Sequence, residues 1–288
     1  MRQGKNAIGL LVSILFLSVG IVYAGHIYDG YRKGQQEYRA IEEEYTLKET
    51  APSSTVTEEE KPAHPRKKEE EMAEKEVWRP LVAKLPADAP DKISVDWEGL
   101  QSRNEDIVAW ILVPAVEISY PVMQADDNEY YLHRDIDRNY LFAGSVFMDA
   151  FNSPSLFNYN TIIYGHNMRD GSMFARLKEF QQKETLDKCR YFWLLTPKAD
   201  LLYEICSIHN AQTGSDTFTV RFEDFISYQT WQEKMLQMSS PSTGASLDTQ
   251  DRIVTLSTCT ESSAIRMTVQ GKLVWKSENK LEKFQVRG

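Results

Sequence analysis

Apolar and polar residues alternate in short stretches from residue 107 to near the C-terminal end of the chain. A period of two, rich in β-branched residues, is typical of β-strands, and polar or Gly- and Pro-containing turns separate these stretches. Several short strands at close spacing indicate an antiparallel sheet or a barrel. The predicted strands are 107–113, 116–122, 145–148, 161–164, 190–195, 201–208, 253–259 and 265–275.

A different spacing predicts helices at a few places. Residues 222–238 place large apolar side chains such as Trp231 and Met235 at helical intervals, as expected of an amphipathic helix that precedes the seventh strand. Residues 173–180 repeat an apolar side chain every three positions, and Trp97 with Leu100 suggests one short helix. Periodicity alone therefore predicts a mostly β protein with helices.

The N-terminal part of the chain has another character. Residues 7–24 carry no charge and follow Arg2 and Lys5, so as a helix they are long enough to cross a hydrocarbon layer of ~30 Å. The basic flank predicts a cytoplasmic N-terminus and an extracellular domain. The alternative is a cleaved signal peptide, because Val22 and Ala24 suit a cleavage site; the length of the apolar run favours the uncleaved anchor.

The following segment is polar and strongly charged. Tyr31, Tyr38 and Tyr45 recur every seven residues, a stripe on a helix that suits a weak dimer contact. Residues 51–71 combine Pro, Ser and runs of both charges, which favours a linker. The sequence therefore predicts three parts: a membrane anchor at 1–25, an extracellular stalk and linker at 26–92, and a catalytic domain at 93–288.

Composition excludes several classes of function. The chain has 288 residues, a formal net charge of −9 and a pI near 5.2, whereas a nucleic-acid-binding domain normally has a basic face. No His/Cys pair has the spacing of a metal site, so we expect no metal and no cofactor.

Three residues carry candidate chemistry. Cys259 ends the seventh strand, Arg266 follows seven residues later at the start of the eighth, and His166 follows an apolar strand at a Gly-containing exit. A catalytic thiol requires a neighbour that makes it a thiolate or exchanges its proton. The strand pattern can bring an imidazole and a guanidinium to such a thiol.

The segments around these residues resemble class B sortases of Gram-positive bacteria. The similarity comprises residues 255–259 (TLSTC), 164–168 (YGHNM), 170–174 (DGSMF), 104–111 (NEDIVAWI), 120–124 (YPVMQ), 127–132 (DNEYYL) and Arg266. The resemblance implies a closed eight-stranded β-barrel, with N-terminal helices and a long helix between the sixth and seventh strands.

The resemblance also implies an activity, that of a cysteine transpeptidase of the thiol peptidase class. Cys259 would cleave the C-terminal sorting signal of surface proteins after a threonine and form a thioester. An amine of a peptidoglycan precursor would then replace the thiol and become bonded to the protein. His166 would be the acid and base, and Arg266 would hold the oxyanion or the substrate backbone. The peptide groove would be lined by Asn128, Leu132, Tyr164, Ser257 and Thr258.

Several alternatives remain open at this stage. A pilus-polymerising sortase would use a pilin lysine as its acceptor. A papain-like endopeptidase or an L,D-transpeptidase would fit the order and the motifs of these residues less well. A catalytically silent binding domain would fit the intact set of His, Cys and Arg less well. One departure from the family pattern is that Thr260, not an acid, follows the cysteine, and the acid is Glu261. We expect His133 to be a solvated loop histidine, and Cys189 and Cys206 to be unpaired.

Overall fold

The computed structural model describes residues 2–48, 84–156, 158–260 and 264–277. Eight strands close into a barrel in the order β10-β8-β7-β3-β4-β5-β6-β9, which confirms the predicted fold. A separate two-stranded sheet joins β1 (Thr46–Lys48) to β2 (Ile93–Val95). The barrel strands are β3 (Ile107–Val113), β4 (Ile118–Met123), β5 (Val146–Met148), β6 (Asn160–Tyr164), β7 (Tyr191–Leu195), β8 (Asp200–Gln212), β9 (Ile253–Cys259) and β10 (Ile265–Lys276).

The barrel encloses one large apolar core. Trp110 on β3 and Phe192 and Trp193 on β7 are almost completely buried, and each large aromatic side chain removes much apolar surface from water. Two of the neighbouring pairs are parallel, β4 with β5 and β6 with β9, and the other pairs are antiparallel. The parallel pairing of β6 with β9 brings the ends of two strands to the same rim of the barrel.

Three helices flank the barrel among the described residues, and two of them begin at a capping side chain. Helix α2 (Trp97–Arg103) begins after Asp96, whose carboxylate accepts a hydrogen bond from the backbone of Gly99, an N-cap arrangement. Helix α3 spans Lys183–Lys188. Helix α4 (Phe225–Met238) begins with a capping box formed by Asp224 and Ser227. Because α4 lies between β8 and β9, the predicted helix between the sixth and seventh barrel strands is confirmed.

One predicted helix differs in type. Residues Ala175–Gln181 form a 3-10 helix, in which side chains three positions apart lie above one another. Leu177 and Phe180 are both fully buried. The spacing of three in the sequence therefore corresponds to a 3-10 helix that presents one face to the core.

A long helix, α1 (Arg2–Tyr45), precedes the barrel. Its tyrosines at seven-residue spacing contact the chain's own domain: Tyr31 lies edge-on to Phe142, and Tyr38 lies edge-on to Tyr120 with 5.4 Å between ring centroids. The Tyr38 hydroxyl donates a hydrogen bond to the carbonyl of Gly144 at 2.8 Å. The stripe is thus used within the molecule, where burial of Tyr38 attaches α1 to the barrel.

The predicted membrane anchor over residues 7–24 requires correction. Within the described ranges of the chain, no helix combines the length and the apolar character needed to cross a membrane, so the predicted single-pass location, with a cytoplasmic N-terminus and an extracellular domain, is wrong. Residues 7–24 belong to α1, which continues without a break through a charged segment to the edge of the barrel. Most of the predicted linker lies outside the described residues, and the domain boundary at residue 93 stays a prediction.

The contact between α1 and the barrel contains an ionisable group, Glu37. Burial, and then the carboxylates of Asp135 and Asp137, raise the pKa of Glu37 from 4.5 to about 7, whereas Arg103 acts in the opposite direction. One carboxylate oxygen of Glu37 is buried without a hydrogen-bond partner among the described residues. The docked helix therefore favours the protonated form of Glu37.

We expect the docking of α1 to weaken as the pH rises. Because the docked state raises the pKa of Glu37, its stabilising contribution is complete below pH 4.5 and is lost as the pH rises through about 7. Glu37→Gln should remove this dependence. Hydrogen exchange of α1 amides, corrected for intrinsic rates, measures it between pH 5.5 and 8, with the exposed Glu43→Gln as the matched control. Equal pH dependence in wild type and Glu37→Gln would contradict the prediction.

Candidate active site

A cavity of about 350 Å³ opens at the rim where β6 and β9 end and β10 begins. Every predicted groove residue lines it, and so do two of the three predicted catalytic residues. The lining residues are Asn128, Leu132, Phe147, Tyr164, Gly165, His166, Thr213, Gly214, Phe218, Ser257, Thr258 and Arg266.

Strand register brings the third predicted catalytic residue to the same rim. Arg266 is the direct partner of Cys259 in the antiparallel pair of β10 with β9. Tyr164 is the partner of Ser257 in the parallel pair of β6 with β9. The backbone of Cys259 therefore lies next to strands that supply the cavity wall. The side chain of Cys259 lies outside the part of the structure that is described, as does Glu261.

His166 lies two residues after the end of β6 and is held by a tight loop. A Cβ atom at Gly165 would lie 2.6 Å from the ring of Phe174, so only glycine permits the chain to pass this ring. The backbone of Gly165 donates a hydrogen bond to the carbonyl of Ser257, and the backbone of Phe174 donates one to the carbonyl of His166. These contacts extend the parallel pairing one residue beyond β6 and place His166 at the cavity.

The imidazole of His166 has a defined tautomer. Its Nε2 lies 2.7 Å from the carbonyl oxygen of Leu132, and since a carbonyl only accepts hydrogen bonds, Nε2 carries the proton. In the neutral ring, Nδ1 then carries the lone pair. Burial lowers the pKa of His166, and the nearby His133 and Arg266 lower it further, whereas the hydrogen bond to Leu132 opposes them. The neutral form is therefore favoured near neutral pH.

A buried carboxylate, Asp149, organises one wall of the cavity. One oxygen of Asp149 accepts hydrogen bonds from the amide of Asn128 and from the hydroxyl of Tyr164, each at 2.9 Å. Its other oxygen accepts a bond from the backbone of Phe151. Burial, and next the charge of Asp149, raise the pKa of Tyr164, so this phenol stays protonated and donates. Asp149 thus holds two of the predicted groove residues in place.

We expect Asp149→Asn to weaken substrate binding without unfolding the barrel. An amide of the same shape cannot accept from Asn128 and Tyr164 on one side and from a backbone N–H on the other. Hydrogen bonds to a charged acceptor contribute ~1.5 to 3 kcal/mol, so we expect kcat/KM to fall about tenfold or more, mainly through KM. The exposed Asp126→Asn is the matched control. An unchanged KM in Asp149→Asn would contradict this prediction.

Sequence reasoning missed several residues of the site. Phe147, Thr213, Gly214 and Phe218 line the cavity, and no motif singled them out. Asp149 directly follows β5. Its position as a polar residue at the end of a strand was the signal in the sequence that could have identified it as a site residue. His133 is exposed, as expected, but it ends the 3-10 helix Tyr130–His133 and does not lie in a loop, and its ring stacks on that of His166 with 5.4 Å between centroids.

Cys189 and Cys206 are free thiols, as expected. Burial raises the pKa of Cys206 to about 12 and also raises that of Cys189. Both thiols therefore stay protonated near neutral pH, and a protonated thiol is a poor nucleophile. The structure provides neither of them with a role at the cavity.

Comparison with known proteins identifies the family. Residues 111–274 match the family model described as sortase domain. Sortase B of Listeria monocytogenes is 36% identical over 180 residues, which cover 62% of this chain and 73% of that protein. The similarity thus includes the barrel and the strands that form the cavity.

Solved structures agree with the sequence comparison. Sortase B from B. anthracis, in complex with AAEK1, is 35% identical with a TM-score of 0.58, covering 62% of this chain and 83% of that chain. The Staphylococcus aureus sortase B–substrate complex is 29% identical with a TM-score of 0.59, covering 62% of this chain and 84% of that chain. Fold and sequence both agree with those of these relatives, and the chain belongs to the sortase family, as a class B sortase with cysteine transpeptidase activity.

Proposed function

We propose that Cys259 is the nucleophile of this transpeptidase. Its sulfur attacks the carbonyl carbon of a threonine in a C-terminal sorting signal, the C–N bond breaks, and a thioester remains on the enzyme. The single observation that carries this proposal is the register of β9, which brings the backbone of Cys259 opposite Arg266 at a cavity that also holds His166. The protonated state of the other two thiols adds support.

We assign the proton transfers to Nδ1 of His166. The hydrogen bond from Nε2 to Leu132 leaves Nδ1 with the lone pair in the neutral ring. In the first step Nδ1 takes the proton of the Cys259 thiol and gives it to the departing amine, and in the second it takes a proton from the incoming amine and returns it to the released thiolate. The lowered pKa of His166 supports the second role, because the ring is then neutral when the acceptor arrives.

Arg266 is assigned to the oxyanion. Attack on a carbonyl leaves a negative charge on its oxygen, and a fixed guanidinium stabilises this charge through forked donors. Directly opposed residues of antiparallel strands share a face of the sheet, which supports a position for Arg266 beside the thioester carbon. Arg266 also lies close enough to Tyr164 and His166 to affect their pKa values.

The groove residues are assigned to the peptide backbone and side chains of the sorting signal. The hydroxyls of Ser257 and Thr258 are buried and have no hydrogen-bond partner among the described residues, although buried polar groups are normally paired. Rotation of these two side chains toward the cavity would bring their hydroxyls within reach of an extended peptide. Asn128, Tyr164 and Leu132 form the facing wall.

The acceptor that we propose is an amine of a peptidoglycan precursor, so that the product is a surface protein joined to the cell wall. The class B assignment supports this acceptor, and the substrate complex of the Staphylococcus aureus relative supports a peptide donor. A pilin lysine is the alternative acceptor and is included in the test.

The test incubates the protein with labelled sorting peptides and follows the products by mass spectrometry. We expect cleavage after threonine, a thioester adduct on the peptide that contains Cys259, and release of that adduct by hydroxylamine. Peptidoglycan stem peptides and a lysine-containing pilin peptide are then offered as separate acceptors. An adduct on a residue other than Cys259 would overturn the assignment, and transfer to the pilin peptide alone would replace the proposed acceptor.

A further inference from the structure

Four aromatic rings form a continuous column from helix α1 to the cavity. Tyr31 of α1 lies edge-on to Phe142 at 5.7 Å. Phe142 stacks on His133 with 6.5 Å between centroids and 19° between planes. His133 stacks on His166 with 5.4 Å and 21°. The column therefore ends on the imidazole to which the proton transfers are assigned.

The ring of His133 is also held at its edge. Its Nδ1 lies 3.3 Å from the carbonyl oxygen of Phe142, and because that oxygen only accepts, Nδ1 is the donor. The preceding residue, Leu132, accepts the hydrogen bond from Nε2 of His166. Two adjacent residues thus contact the His166 imidazole from different directions, Leu132 in the ring plane and His133 on the ring face.

From this arrangement we propose that His133 is a positioning residue of the active site, which fixes the plane of the His166 imidazole by stacking on its face. The inference rests on the proposed role of His166, since a fixed plane matters only if that ring exchanges protons. An edge contact alone leaves an imidazole able to rotate about the hydrogen bond. A face contact removes this freedom, so both together keep Nδ1 directed at one point of the cavity.

The stack has an electrostatic consequence as well. His133 and Arg266 both lower the pKa of His166, as expected where positive charge disfavours protonation of a neighbour. The other rings that face His133 are Tyr140 and Phe142, neither of which brings a carboxylate. His133 therefore acts on His166 by its charge as well as by contact with its ring.

Two substitutions of His133 in the full chain distinguish the effect of its stacking ring from the effect of its charge. His133→Phe keeps a ring that can stack and removes the charge and the donor, whereas His133→Ala removes all three. The exposed Phe225→Ala, on α4, is the matched control. The readouts are the pH profile of kcat/KM, the separate values of kcat and KM, and the titration midpoint of His166 by NMR of labelled histidine, assigned with His166→Ala.

We expect the titration midpoint of His166 to rise by roughly half a unit in both variants, because a like charge nearby is lost. In His133→Ala we expect kcat to fall about five- to tenfold with little change in KM, the range expected for the loss of one aromatic contact. In His133→Phe kcat should remain within about threefold of wild type at its optimum, because the stack is retained.

An unchanged midpoint of His166 in both variants overturns the contact between the two rings, and a kcat of His133→Ala equal to that of His133→Phe overturns the positioning role, because only the first variant loses the stack. If His133→Ala does not fold, a kcat of His133→Phe about tenfold or more below wild type overturns that role, because the stack is retained there. The midpoint is measured without turnover, so the outcome is independent of the proposed function. Wild-type activity of His166→Ala would overturn that function and leave the effect of His133 on the ring intact.

Discussion

Replacing Cys259 by alanine is expected to abolish both peptide cleavage and transfer while the barrel stays folded. In the proposed mechanism the thioester forms through the sulfur of Cys259, and without this atom the remaining groups cannot hold the acyl group. Removing the nucleophile of an enzyme that acts covalently lowers kcat by at least about a thousandfold. The measurement is cleavage of a labelled sorting peptide together with intact-mass detection of the acyl-enzyme, and circular dichroism checks the fold.

The other two cysteines provide matched controls for this experiment. Cys189→Ala and Cys206→Ala remove thiols of the same kind whose pKa values are raised by burial. Cys189→Ala should keep wild-type turnover. Cys206→Ala removes a fully buried sulfur that contacts the carbonyl of Gln270, so it should lose some stability but keep the acyl-enzyme. Appreciable turnover by Cys259→Ala would exclude the thioester mechanism.

The second large effect is expected from Arg266→Lys, which keeps the positive charge. A guanidinium presents donors in a planar fork, whereas an ammonium is a point charge on a flexible stem. Loss of one oxyanion donor costs about 10² to 10³ in rate. We therefore expect the acylation rate, measured in a single turnover, to fall about a hundredfold with little change in peptide binding.

The matched control for this substitution is Arg190→Lys. Arg190 forms a partly exposed ion pair with Glu204 at 3.2 Å, and such surface pairs contribute little, ~0 to 1 kcal/mol. The same chemical change away from the cavity should leave acylation unaltered. Wild-type acylation in Arg266→Lys would make Arg266 a structural residue of β10 and transfer the oxyanion role to another donor.

Local sequence pattern predicted most barrel strands closely. The bounds of β3 agree with the prediction to the residue, because a continuous apolar run between Asp106 and Pro114 has an unambiguous beginning and end. Strand β8 extends to Gln212, four residues beyond the predicted end. Its last residues pair with β10, and Ala211 is the partner of Arg266. Pairing with a distant strand, which local composition does not encode, extended this element.

For helix α1, the local sequence pattern did not predict the surface against which the helix packs. The tyrosines at seven-residue spacing predicted a helix with one adhesive face but not the surface that this face contacts. The structure uses Tyr31 and Tyr38 against Phe142 and Tyr120 of the same chain. The apolar run before them predicted a membrane anchor, which the structure corrects. Periodicity identifies the face of a helix, and the partner of that face is a property of the assembled domain.

In the active site, too, motifs in the sequence predicted some of the residues, and only the structure revealed the others. Motifs in the chain identified His166, Cys259 and Arg266 together with the five groove residues, because their chemistry and order match those of class B sortases. They gave no indication of Asp149 beneath the groove or of His133 on the face of His166. Asp149 acquires its importance from Asn128 and Tyr164, which come from two other segments.

The sequence by itself determined a mostly β protein with helices, most of its strands, and the residue types that could perform thiol chemistry, because these features follow from residue spacing and side-chain chemistry, which are local. The closed barrel and the family were predicted from the resemblance of its motifs to those of class B sortases. Only the tertiary structure decided that β9 lies between β6 and β10, that α1 packs on the barrel, and that His133 covers the ring of His166. The physical reason is that burial, hydrogen-bond partners and pKa values depend on which distant segments share one volume, and that choice is made by packing of the whole core.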